Sequence, residues 1–502
     1  MSFTILSATL LLLLAVGIVP RVMRGYRQGF GRTAILLAMT VLCGLAAAPL
    51  AVWLSDYPAD LLAVYLPRWV RPLADYADKF PAVTVLLPAI LDAVLSSVLF
   101  ILLFLLLRLA VGNPVANLLG CLWSPAAHDP DDPIYESRNA PWHRRHSRLL
   151  GGVTGGICGF LVTLAMLSPL VGLMSVGDTA LGTADRIRVK WSVYGLGEEH
   201  VSLLHDLTGD PVAKVLEAAG GGLIFDATAN TRINGSYTVL REEVDLCADL
   251  VADAMAAIPV LKDMSHVPPA KREILAGLGG KIDRSEVARL VASDVLNMAA
   301  GAWQEGKTFM KVPCPRFNEH LEPLVEGLLE VAATATPSCV GRDISTVMDI
   351  CLIASDSGLM SKKLSYTELA SSLDTGGVVD RIYNEIMDNP CTASLSDRMT
   401  EVAIRMMATA IDNSGLDTKE MKGLMTHLSD AVNRVRGMSI TNAERVSHMK
   451  EYTTYYAKMY GMNIPDSLAE IASVAVMNKL GGTDGRVTAE QFYRLFEAYM
   501  KK

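Results

Sequence analysis

Histidines and a calcium-loop-like segment are the features of this sequence that come closest to a metal site. His200 and His205 are five residues apart, whereas two histidines that bind zinc from one helix face are four apart. In the segment near the C-terminus, aligning Gly485 with the sixth position of a calcium loop puts Leu480 first and Gln491 twelfth. A calcium loop places carboxylates at those two positions. We therefore predict no metal site and no other cofactor.

The sequence also lacks the residue patterns of common catalytic sites. It contains no Gly-x-Ser-x-Gly motif, no glycine-rich phosphate loop and no convincing pairing of a nucleophile with a base. Its net charge of −8 argues against a nucleic-acid partner, because phosphate binding needs a concentrated basic face. We therefore predict that the protein is not an enzyme and does not bind nucleic acid.

Long apolar runs predict a membrane module in the first third of the chain. The 502 residues are 51% hydrophobic, with a mean hydropathy of +0.31, and this excludes a wholly cytosolic enzyme because the runs cannot all be buried in one soluble core. Four runs approach or exceed the length of about 20 residues that crosses a bilayer. They are Phe3 to Val19, Thr33 to Leu54, Val83 to Val111 and Leu149 to Met174.

The first run could be a removable signal peptide or a retained anchor. No basic residue precedes it, no small-residue cleavage site follows it, and four arginines come directly after it. These features favour an anchor whose N-terminus is outside. We therefore predict a mainly α protein, in which residues 1–175 form a four-helix transmembrane module.

Arginines in the connections predict the orientation of that module. Residues 20–32 contain four arginines and no acidic residue, and residues 112–148 contain four more, with Arg108 at the edge. Positively charged loops stay on the cytoplasmic side during insertion. Both loops are therefore expected in the cytoplasm of a multi-pass protein of the plasma (inner) membrane, with the N-terminus and the C-terminus extracytoplasmic.

Two glycine-rich segments resemble the CvpA (colicin V production protein) family over residues 1 to about 175. The first is Gly25-Tyr26-Arg27-Gln28-Gly29-Phe30, which is followed at once by a span rich in small residues. The second is Arg148-Leu149-Leu150-Gly151-Gly152, with further glycines at Gly155, Gly156 and Gly159. The resemblance implies an integral inner-membrane protein linked to export of a peptide toxin and to envelope maintenance, with no established catalytic chemistry.

The glycines also have a direct physical interpretation. Gly151, Gly155 and Gly159 share one stripe of a helix, where the absence of Cβ atoms permits close approach of another helix. That contact could be made within the module, with another copy of the chain, or along a substrate path. Gly25 and Gly29 permit a tight turn, while Arg27 and Arg32 are expected to bind lipid phosphates.

Residues 176–502 are predicted to form an extracytoplasmic, all-helical domain with degenerate repeats. Asp343 to Met360 and Asp397 to Asp417 look related, and Glu243 to Leu261 is a looser copy, which is typical of an irregular helical array. Apolar residues recur at spacings of three and four in seven segments. These are Val244 to Ala257, Glu286 to Ala300, Phe317 to Ala333, Ile344 to Ser355, Val378 to Met387, Met399 to Ile411 and Ser467 to Lys479.

Cysteines in the second domain allow one disulfide to be singled out. Cys314 and Cys339 bracket a helix of roughly 18 residues, about 27 Å long, which keeps them too far apart to bond. Cys339 and Cys391 follow the corresponding ends of two helical segments, so the chain can bring them together. If a disulfide forms, we expect it between Cys339 and Cys391. Cys247 and Cys351 fall inside helical patterns and are expected as buried thiols.

These features predict a non-enzymatic envelope protein that anchors or displays a helical interaction domain. Its expected partners are the lipid bilayer and either envelope proteins or another copy of itself. The alternative is a channel or export component made from several copies. An envelope hydrolase is a third class, and it would require convergent carboxylates or a metal in the second domain.

Overall fold

The computed structural model describes residues 5–69, 81–123, 141–186, 198–233, 235–264, 267–309, 321–360, 378–392, 394–462, 464–482, 485–497 and 499. The described chain is mostly helical and forms two compact units. The first unit comprises Met1–Ala252 and Ser285–Val287, and the second comprises Asp253–Arg284 and Ala288–Lys502.

The first unit is built on long apolar helices. Four stretches are long and apolar enough to cross a membrane, which confirms the four predicted spans at that level: Ile5–Gln28, Phe30–Leu62, Thr84–Leu119 and Ser147–Arg186. A π-helical turn over Arg108–Gly112 continues the third of these stretches. The helices are α1 (Ile5–Gln28), α2 (Phe30–Trp69), α3 (Ala82–Leu107), α4 (Asn113–Trp123) and α5 (Pro141–Arg186).

The two arginine-rich connections are more helical than the sequence predicts. Pro20 lies inside α1, and this helix continues to Gln28, so residues 20–28 of the predicted connection are helical. Gly29 alone separates α1 from α2, and its positive φ of 77° is a conformation that glycine adopts without strain. Within residues 112–148, the described parts are also helical, in α4 and the start of α5.

Short elements after α5 belong to the first unit, so this unit extends beyond residue 175. They are α6 (Glu198–Thr208), α7 (Pro211–Leu216), a π-helical turn (Glu217–Gly221), α8 (Gly222–Thr228), and the antiparallel strands β1 (Asn230–Ile233) and β2 (Ser236–Val239). Leu216 packs with Leu10 and Leu164. Phe225 is fully buried, and a Cβ on Gly172 of α5 would overlap its ring. The short helices therefore pack among the long apolar ones.

Asp210 ties this segment to α1. Its carboxylate accepts hydrogen bonds from the backbone N–H groups of Val212 and Ala213, and so caps α7. The hydroxyl of Ser7, near the start of α1, donates to the same carboxylate at 2.6 Å. Residue 210 is thus held at the end of α1 that is opposite Gly29.

The remaining helices follow the predicted periodicity closely. The described part of every predicted helical segment lies largely or wholly in a helix, beginning with α9, which starts in the first unit. The helices are α9 (Leu240–Leu261), α10 (Pro269–Ile282), α11 (Glu286–Gln304), α12 (Glu322–Ala333), α13 (Val340–Asp356), α14 (Val378–Asp388), α15 (Leu395–Asn413), α16 (Thr418–Arg436), α17 (Asn442–Met459), α18 (Asp466–Leu480) and α19 (Ala489–Glu497).

The second unit has an extensive apolar core. Ile350 of α13, Leu424 of α16, Met449 of α17 and Phe492 of α19 are all at most 1% exposed and belong to one cluster. Helices α16 and α17 each begin with a capping box, in which the N-cap side chain and a glutamate three residues later exchange hydrogen bonds with the backbone. These helices therefore have defined starts as well as a buried face.

Two of the predicted repeat copies end in the same way. Helices α13 and α15 are each followed by Ser-Gly-Leu, with the glycines at Gly358 and Gly415. Both glycines have positive φ, at 75° and 65°. A left-handed glycine is a common way to end a helix, so the related sequences correspond to two helices with similar C-terminal turns.

Candidate functional site

The two glycine-rich segments contact each other across α1 and α5. A Cβ on Gly25 would overlap the carbonyl oxygen of Gly151, and a Cβ on Gly155 would overlap the carbonyl oxygen of Arg21. A Cβ on Gly159 would lie 3.0 Å from the carbonyl oxygen of Gly17 on α1. Glycine is required where the backbones of two helices approach this closely. The structure therefore brings the glycines of both segments into one interface within the chain.

The side chains of the first segment are largely exposed, although a Cβ on Gly152 would lie 3.7 Å from the Cβ of Tyr26. Tyr26 and Phe30 are each 44% exposed, and Arg27 is also exposed. The backbone N–H of Phe30 donates to the hydroxyl of Ser147 at 3.4 Å, and a Cβ on Gly151 would lie 2.9 Å from the Cα of Gly29. The segment thus divides into glycines that contact the backbone of α5 and side chains that are largely exposed.

Arginines surround a cavity at the same end of α1. One Arg21 guanidinium nitrogen donates to the carbonyl oxygens of Cys158 and Gly159, both at 3.4 Å. Arg108 begins the π-helical turn after α3 and is only 8% exposed. Its guanidinium makes a long contact of 3.7 Å to the Cys158 sulfur, and its Nε has no hydrogen-bond partner in the described structure.

This arginine cavity has a volume of about 210 Å³. Its polar lining comes from three arginines and three uncharged residues: Arg21, Arg24, Arg108, Gln28, Thr33 and Asn113. No aspartate or glutamate lies among the described residues that line it. The sequence placed Arg108 only at the edge of a loop. Its position inside an apolar stretch without an acidic neighbour was the signal that could have identified it.

Asp92 is a second ionisable residue inside a membrane-length helix. The sequence favours a position at the outer interface, with a proton or ion path as the other interpretation. In the structure Asp92 is 6% exposed and accepts a hydrogen bond from the hydroxyl of Ser55 on α2. The carboxylate is therefore buried between α2 and α3 rather than exposed to water.

The structure joins Cys339 to Cys391, the pair singled out from the sequence, with Cα atoms 6.1 Å apart. Beside this disulfide, the Asn389 amide donates to Asp343 at 3.1 Å and to Thr346 at 3.2 Å, and all three side chains are buried. Burial raises the pKa of Asp343, while the hydrogen bond from Asn389 opposes that rise. The disulfide and this polar cluster connect α13 with the chain that follows α14.

The remaining cysteines differ in their burial. Cys351 is buried, as expected from the helical pattern, and its burial raises the thiol pKa to about 12. Cys247 is partly buried; burial raises its pKa and the nearby hydroxyl of Ser285 partly offsets this. Neither thiol is therefore readily ionised near neutral pH. Cys314 lies outside the described residues.

His200 and His205 do not form a metal site among the described residues, and part of the calcium-loop-like segment lies outside them. His205 lies 3.1 Å from Asp185, which is an ordinary ion-pair distance. No group of three or more His, Cys, Asp or Glu side chains that could hold a metal occurs among the residues that the structure describes.

The apolar cavity of about 130 Å³ in the second unit is lined mainly by hydrophobic residues, with Asp343 at its wall.

Comparisons of this chain with protein-family models, curated proteins and solved structures find no match.

Proposed function

We propose that this protein is a non-enzymatic membrane anchor of the cell envelope that displays a helical interaction domain. The observation that carries the proposal is the backbone contact between Gly25 and Gly151. The glycine stripe of α5 is occupied by α1 of the same chain. This favours packing within the module over the alternative uses of the stripe, which are contact between copies and a substrate path.

The arrangement of charges supports a specific topology. Arg21, Arg24 and Arg27 lie near the end of α1 that adjoins Gly29, whereas the contact of Ser7 with Asp210 lies at the opposite end. Positive charge marks the cytoplasmic side. The chain after α5 is accordingly extracytoplasmic in the proposal, as are both termini, and the membrane is the plasma (inner) membrane.

The Cys339–Cys391 disulfide supports the same assignment. Disulfides persist in oxidising compartments such as the bacterial periplasm and are rare in the cytosol. The partners in this proposal are the lipid bilayer and envelope proteins or a second copy of the chain. The resemblance of the glycine segments to the CvpA family extends the proposal to toxin export or envelope homeostasis.

Crosslinking between α1 and α5 tests the anchor against the oligomeric channel. A Cβ on Gly156 would lie 3.2 Å from a methyl group of Val22, so Val22→Cys with Gly156→Cys places two thiols in reach of each other. Mild oxidation in membranes should give a crosslinked monomer. Each single variant is the matched control. A crosslinked dimer from the double variant, or from either single variant, would favour the oligomeric channel and contradict closure within one chain.

A further inference from the structure

We infer that the arginine cavity between α1, α2, α3 and α5 binds a phosphate group, supplied by a lipid headgroup or by free phosphate. The inference does not depend on the display role proposed above, because every residue of this cavity belongs to the first unit. It rests on the charge of the cavity, the burial of Arg108 and the shape of the opening.

The cavity concentrates positive charge without compensation. Arg21, Arg24 and Arg108 lie close enough to repel one another electrostatically. The described helices contribute no carboxylate to the lining. A buried charge without a counter-charge is strongly unfavourable, and an ionisable residue inside a membrane-spanning helix is costly. A bound anion would supply the missing negative charge.

Arg108 provides the clearest evidence for an anion site. The side chain is 8% exposed and lines the cavity, and its Nε is buried without a hydrogen-bond partner in the described chain. Its terminal nitrogen contacts only a weak acceptor, the sulfur of Cys158. A guanidinium has a fork of N–H donors that matches two oxygens of a phosphate group.

The dimensions and walls of the cavity fit a small phosphate-bearing group. The volume of about 210 Å³ is below the range of about 300–1,000 Å³ that is common for drug-sized ligands. Gln28 and Asn113 add amide N–H groups that can donate to further phosphate oxygens. Leu109 also lines the cavity and is 67% exposed, so the opening reaches an apolar surface along which an acyl chain could lie. Basic pockets between membrane helices commonly bind lipid headgroups.

Calorimetric titration of the full-length protein tests this inference. The protein is purified in a non-ionic detergent with phosphate-free buffer and titrated with inorganic phosphate, with short-chain phosphatidylglycerol, and with diacylglycerol as an uncharged lipid. We expect saturable binding of at least one phosphate-bearing probe and none of diacylglycerol. Binding of phosphatidylglycerol alone identifies a headgroup site, and binding of inorganic phosphate identifies a site that accepts the free ion.

Substitutions at Arg108 assign the binding to this cavity. Arg108→Gln should weaken binding at least tenfold, and Arg108→Lys should weaken it less because the charge remains. Arg186→Gln is the matched control, since Arg186 is an exposed arginine at the end of α5 that does not line the cavity. If Arg108→Gln does not fold, Arg21→Gln replaces it. Absence of saturable binding to both phosphate probes, or equal weakening by Arg186→Gln and the cavity variant, would overturn the inference.

Discussion

The backbones of Gly25 and Gly151 approach each other so closely that a Cβ on either residue would overlap the carbonyl oxygen of the other. The two glycines belong to segments that are more than a hundred residues apart in the sequence. Their contact explains why both segments contain glycine: neither helix could approach the other at this distance with a larger residue.

We predict that Gly155→Ala destabilises the first unit. The added Cβ would overlap the carbonyl oxygen of Arg21, so α1 and α5 must separate, at a cost of about 1–3 kcal/mol. Thermal unfolding of the purified protein in detergent measures the change. Gly182→Ala is the matched control on the same helix, because its Cβ would meet no atom within 4 Å. That variant should be at least as stable as the parent protein, since alanine favours helix over glycine. Equal stability of the Gly155 variant and the parent would contradict the contact.

We predict that the second unit loses stability when its disulfide is removed. The bond links residues separated by 52 positions, and the loop-entropy relation gives a stabilisation of about 4 kcal/mol for a loop of that size. Cys339→Ser with Cys391→Ser should therefore lower the urea midpoint of the second unit. Peptide mapping under non-reducing conditions should recover the Cys339–Cys391 pair. Recovery of Cys314 linked to Cys339 would contradict the pairing and the helix between them.

We predict that Glu385→Gln stabilises the second unit above mildly acidic pH. Burial raises the pKa of Glu385 above its usual value of 4.5, and the nearby carboxylates Asp349 and Asp388 raise it further. The folded state therefore binds the proton more tightly than the unfolded state does. As the pH rises through the interval between the unfolded and folded pKa values, the free energy of unfolding falls, and this loss persists at neutral pH.

The glutamine variant should remove this loss, with a gain of several tenths of a kcal/mol at pH 7, the scale of partly exposed charge interactions. Urea unfolding at pH 4 and pH 7 measures it. The gain should be present at pH 7 and small at pH 4. Glu273→Gln is the control, because Glu273 is an exposed glutamate on α10. A gain of the same size at both pH values would show that charge repulsion is not its cause.

Helices with a clear apolar period could be predicted from the sequence. The segment Val378 to Met387 corresponds to α14 (Val378–Asp388), and Ser467 to Lys479 lies within α18 (Asp466–Leu480). In both cases one face is buried in the core of the second unit, so the spacing of apolar residues reports directly on the contact that stabilises the helix. The Cys339–Cys391 pairing could be anticipated from two features: helix length excludes Cys314 as a partner of Cys339, and Cys339 and Cys391 follow corresponding ends of two helical segments.

The packing of α7 and α8 against the long helices could not be predicted in this way. These helices have six and seven residues, too few for a periodic pattern, and Gly220 between them has a φ of 117°. The burial of Arg108 could not be predicted from the sequence for a different reason. Its neighbours are apolar on every side of the helix, so the sequence does not reveal which face is buried. Its burial depends on the positions of α1 and α5, which are distant in the chain.

Fusion of reporter proteins at two positions tests the proposed topology most directly. One reporter folds only in the cytoplasm and the other is active only outside it, and each is fused after Cys121 or after Lys502 in the full chain. The proposed anchor predicts cytoplasmic signal after Cys121 and extracytoplasmic activity after Lys502, because arginines retain the first position inside. A strong cytoplasmic signal after Lys502 would place the helical domain inside the cell and contradict the account.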